Sequence, residues 1–182
     1  MTNDDDALSE ELGRIYDEIK AYFDELVGES PRAAAILAVA SLEDELDALL
    51  RSKFPHTISN PTWKRIAGPG PTPFGNLKAK TDVAEAFGFF GPQTRATINR
   101  IASVRNKFAH RTSIRDFDHP DVLAICRELA DNPVFPHTYI ANPQARDIRW
   151  HFINTVKALT NHLANIRGLI PELDGDPPKP LP

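Results

Sequence analysis

Ser30-Pro31-Arg32-Ala33-Ala34-Ala35-Ile36-Leu37-Ala38-Val39-Ala40-Ser41-Leu42 is the stretch on which the fold turns. Serine followed by proline reads as a helix start. The hydroxyl accepts a free amide of the first turn, contributing about 1 kcal/mol, and proline is tolerated at the first helical position. Ile36, Val39, Leu42, Leu46 and Leu49, with Leu50 beside them, recur at helical spacing as an apolar stripe. Ala33, Ala34, Ala35, Ala38 and Ala40 let a neighbouring helix approach closely. Glu43, Asp44, Glu45 and Asp47 read as a solvated face, because a metal site would want a histidine or a second acidic cluster.

Working outward, Leu8, Leu12, Ile15, Ile19, Tyr22 and Leu26 alternate steps of four and three, the seam of a preceding helix that Gly28 ends. Downstream, residues 55–75 hold five prolines and three glycines and read as one long loop. Leu77, Val83, Ala84 and Phe87 mark a helix stopped or bent at Gly88. Gly91-Pro92 opens another, with Ile98, Ile101, Val104, Arg105 and Phe108 along its stripe. Asp118 and Pro120 introduce a short helix carrying Val122, Ile125, Cys126 and Leu129, in which the thiol reads as core. After a proline-bearing connection at 131–143, Ile148, Phe152, Val156, Leu159, Leu163, Ile166 and Ile170 keep helical register. Five prolines in the last twelve residues read as a disordered tail. The expected architecture is therefore all-α: a single helical bundle of about six helices over 1–170, followed by the tail 171–182.

Composition sets the limits. The chain has 182 residues, 41% of them apolar and 25% charged, ordinary values for one globular domain. The longest apolar run, Ala33 to Ala40, has eight residues, far short of the roughly 20 a membrane span needs. The start, Met1 to Asp6, is acidic where a secretory signal is positive. Cys126 stands alone, so a disulfide framework or multi-cysteine zinc site is excluded. The expectation is a soluble, cytoplasmic chain with no membrane partner, no metal and no cofactor. No phosphate loop, dinucleotide fingerprint, nucleophile elbow or zinc-protease motif occurs.

Charge is sharply segregated. Residues 1–50 hold 14 acids against 3 bases, residues 51–115 hold 12 bases against 2 acids, and 116–182 hold 9 acids against 6 bases. The basic middle fits an anionic partner, an RNA or an acidic protein; alternatively it faces the acidic first segment within one molecule or dimer. Lys64, Arg65, Lys78, Lys80, Arg100, Lys107 and Arg111 are the candidate anion-binding cations. Trp63 either stacks on a base beside Lys64 and Arg65 or anchors its segment to the core.

Arg105-Asn106-Lys107-Phe108-Ala109-His110 is the chemically specific stretch. Arg105 shares the face of Ile101 and Phe108, so its guanidinium should meet a carboxylate or a polar cleft. His110 lies five residues on, about 140° round a regular helix, so the two converge only at a bent helix end or across a two-fold dimer. Converged, histidine could exchange protons with a ribose hydroxyl or leaving oxygen while arginine holds the phosphate and Asn106 orients them. Otherwise His110 caps the helix and Arg105 pairs with Glu43 or a neighbour.

These residues resemble the Arg-x₄₋₆-His motif of HEPN domains, helical bundles that are often dimeric and RNA-cleaving. Pro73-Phe74-Gly75-Asn76-Leu77-Lys78-Ala79-Lys80 and Ala84-Glu85-Ala86-Phe87-Gly88-Phe89-Phe90, with Glu29 to Leu37 before them, resemble the mannitol operon repressor family. The resemblance covers roughly residues 28–112. It implies a regulatory or interaction protein, a homodimer, working on a protein or nucleic-acid partner through its basic surface. On the HEPN side it implies a metal-independent endoribonuclease with Arg105, Asn106 and His110 in the active site. No helix-turn-helix signature for reading DNA is present.

Overall fold

Seven α-helices make up a computed structural model that describes residues 2–55, 57–130 and 148–168. They are α1 (Thr2–Glu25), α2 (Pro31–Arg51), α3 (Asn60–Ala67), α4 (Leu77–Ala86), α5 (Pro92–His110), α6 (Pro120–Ala130) and α7 (Ile148–Gly168). A turn of 3₁₀ helix, Leu26–Gly28, follows α1. Helix α2 is central, packed on α7, α5 and α4, while α7 also holds α1 and α6 and α5 also holds α4 and α6. The all-α bundle expected from periodicity is what the chain forms.

The caps explain the helix starts. Ser30 Oγ accepts from the Ala33 amide at 3.2 Å, with Pro31 in the first turn of α2. Asn76 Oδ1 accepts from the Ala79 amide at 2.9 Å and opens α4. Gly88 has φ +76°, a conformation that side-chain-bearing residues rarely adopt, and stands just beyond the end of α4. At Gly75 the constraint is proximity, since a Cβ there would lie 2.2 Å from the Gly70 carbonyl oxygen.

Ala34, Ala35 and Ala38 are fully buried, as are Leu42, Leu46 and Leu49, so α2 is gripped closely along most of its length. Truncating one such leucine to alanine costs about 2–5 kcal/mol. Phe108, Phe117 and Phe152 form an aromatic stack, with centroids 4.8 and 5.3 Å apart, joining α5, the α5–α6 connection and α7. Cys126 is buried, and burial pushes its thiol up to about 12, in keeping with a core role.

Three expectations need correction. Residues 55–75 are not one loop, because Ser59 caps the eight-residue helix α3 by accepting from the Thr62 amide at 3.3 Å. Ile36 is 37% exposed and stands outside the buried stripe of α2, which runs instead through Ala35, Ala38, Val39 and Leu42. The helix count rises from about six to seven among the described residues. The side chains of Leu8 and Leu12, the connection at 131–143, Ile170 and the tail lie outside the described residues.

Candidate functional site at the end of α5

Helix α5 begins without a side-chain cap, on Gly91 and Pro92, and runs unbroken to His110. Ile98, Ile101, Val104 and Phe108 are fully buried and fix its rotation. That rotation leaves Arg105 half-buried at the edge of the core and puts Asn106 and His110 on the surface. A regular helix through His110 sends the two side chains off at about 140° to one another. The bent end that would bring them together within one chain is not formed.

The carbonyl oxygens that end α5 are met from another helix. Arg32, in the first turn of α2, donates to the main-chain oxygens of Phe108, Arg111 and Ile114, the last two at 3.1 Å. A guanidinium supplies a fixed fork of donors, which suits several converging carbonyls. Arg32 thus does the capping that sequence reading offered to His110. A second arginine repeats the device: Arg149, in the first turn of α7, donates to Leu26, Val27 and Glu29 at 2.8, 3.2 and 2.6 Å. Sequence reading missed both. The available signal was a cation in the first turn of a helix, where the macrodipole disfavours it unless an outside acceptor compensates.

The basic segment is partly neutralised within the molecule. Lys80 is buried and bonded to Asp47 at 3.0 Å and Glu43 at 3.6 Å, so it is a structural cation. Trp63 is buried too, donating to Asp47 Oδ2 at 2.9 Å and packing edge-on against Phe54. It is the core anchor of α3, with no free face for a base. Lys78 pairs with Asp82 at 2.8 Å, Arg95 with Glu85 at 2.8 Å and Arg100 with Glu128 at 3.0 Å. Asp121 on α6 takes both Arg111 and Lys107. Lys64 and Arg65 are exposed on α3 and meet no carboxylate among the described residues. The acids of α1 do not account for this neutralisation; those of α2, α4 and α6 do.

Arg105, Asn106 and His110 stand apart. Among the described residues none of their side chains makes a hydrogen bond or ion pair. Among the described residues the carboxylate expected for Arg105 is not supplied; Glu43 pairs with Lys80. The site therefore combines a cation, an amide and an imidazole. Among the described residues no group of carboxylates, histidines and thiols could hold a metal ion, and no helix is long and apolar enough to cross a membrane.

This architecture is of a class already known by structure: an all-α bundle with a fold like that of MtlR. In the X-ray structure of the MtlR-HPr complex from Escherichia coli, a chain superposes with a TM-score of 0.56 at 17% sequence identity, covering 87% of this chain and 98% of that one. At that identity the likeness is one of fold. No protein-family model matches the chain, and no curated protein does.

Proposed function

We propose that this chain is a regulatory protein that works by binding a protein partner, and that the end of α5 is its docking surface. The observation carrying this is the set of uncommitted groups at Arg105, Asn106 and His110. Six of the twelve bases in the segment around them are tied to carboxylates. A half-buried arginine whose side chain has no partner among the described residues is the composition of an interface anchor. The fold's likeness to a chain found in a complex with HPr supports a protein as the partner. The ribonuclease reading asks Arg105 and His110 to act on one phosphate, and their divergence along a regular helix gives it no support.

HPr is the first probe. Calorimetric titration of the full chain with HPr is expected to give saturable binding. Arg105→Glu and His110→Glu should each weaken it about tenfold or more, the loss of a modest interface contact. Absence of binding by the wild type, or equal binding by both folded variants, overturns the reading.

A further inference from the structure

We propose that the cleft between the end of α1 and the start of α7 is a binding site for a small carboxylate with an apolar, ring-sized body. Phe23, Val27, Trp150 and Ile153 supply its apolar walls, and Asp24, Arg149, Asn154 and Lys157 complete the lining. Its volume is about 120 Å³, close to the roughly 150 Å³ that admits benzene in an engineered cavity. That space is on the scale of one ring. Val27, in the lining, is 65% exposed among the described residues.

The polar end defines the ligand's charge. Lys157 pairs with Asp24 at 3.8 Å, longer than the roughly 2.7–2.9 Å of a charge-assisted bond. Asp24 also pairs with Lys20 at 2.7 Å, so one carboxylate serves two ammonium groups and the edge of the cleft keeps a net positive charge. The half-buried ammonium of Lys157 thus keeps donors for an anion entering the cleft. Arg149 is committed to the carbonyl oxygens of Leu26, Val27 and Glu29. With one loosely paired ammonium and the guanidinium engaged, the site suits a singly charged carboxylate better than a phosphate, which draws several donors.

The two tryptophans make a direct test, because only Trp150 lines the cleft while Trp63 is buried beside Phe54. Fluorine NMR of the fluorotryptophan-labelled full chain, titrated with benzoate, is expected to move the Trp150 resonance saturably and leave that of Trp63 in place. Lys157→Met should weaken benzoate about tenfold while leaving benzyl alcohol unaffected, the signature of a charge-assisted contact. Ile153→Phe should abolish binding of both by filling the cleft. A Trp150 resonance that stays fixed at millimolar benzoate, or one that moves together with that of Trp63, overturns the site. Equal benzoate affinity in Lys157→Met overturns the carboxylate assignment.

Discussion

Arg32 on α2 donates its guanidinium to the carbonyl oxygen of Phe108, one turn from the end of α5. The same fork reaches Arg111 and Ile114, so the end of one helix is capped by the beginning of another. The arrangement favours both partners. Carbonyls without an intrahelical acceptor role receive a cation at the negative end of the dipole, and a cation misplaced at a helix start finds compensation elsewhere.

Arg32→Met should therefore lower stability by about 2 kcal/mol, the range for hydrogen bonds from a charged donor. Arg32→Lys should recover only part of that, since an ammonium lacks the planar fork. Urea unfolding midpoints with unchanged slopes are the measurement, and a midpoint unaffected in Arg32→Met would remove the cap from the account of stability.

Lys80 holds two carboxylates of α2 at once, while Trp63 donates to one of them. Lys80→Met should cost about 2 kcal/mol, less than for a fully buried pair because Glu43 and Asp47 keep some solvent contact. A double-mutant cycle with Asp47→Asn checks it: coupling well above 0.5 kcal/mol is expected for groups sharing one network.

Burial holds the His162 imidazole below its ordinary value near 6.5. The folded state then favours the neutral ring more than the unfolded chain does. Its contribution is fully present above the unfolded value and is lost as pH falls through the depressed folded value. Melting temperature should decline as pH falls below about 6.5, and His162→Gln should flatten that decline. An equal slope in the variant would assign the acid sensitivity to other groups.

Arg105→Ala, Asn106→Ala and His110→Ala should each change stability by no more than about 0.5 kcal/mol, because none removes a side-chain hydrogen bond or ion pair among the described residues. RNA incubated with the wild type in EDTA should stay intact. Cleavage leaving cyclic phosphates, lost in the Arg105 and His110 variants, would replace partner binding with ribonuclease chemistry.

Most of the fold was legible because its signals are local. Ser30-Pro31 marks the start of α2, and the thiol of Cys126 sits in the core where helical spacing puts it. Helix α3 escaped because prolines and glycines on both sides hid it, although Ser59-Asn60-Pro61 repeats the serine-and-proline start of α2. Ile36 was misassigned because its exposure depends on where α4 and α5 lie across α2, which no single helix encodes. At the candidate site the residues of α5 could be named from spacing, but not the arginine that caps them. Arg32 is 76 residues from Phe108. Nor did charge arithmetic reveal that Lys80 and Trp63 converge on Asp47 and belong to the interior.

The long reach of the two arginine caps has a kinetic side. Arg32 closes a chain segment of 76 to 82 residues and Arg149 one of 120 to 123. Both contacts wait until distant helices have docked, so they are expected to form after the main folding barrier. Weakening either one should leave the rate of folding nearly unchanged and speed unfolding, by up to about thirtyfold for each 2 kcal/mol lost. The caps act as late latches, setting how long the bundle stays closed and having little influence on how fast it assembles.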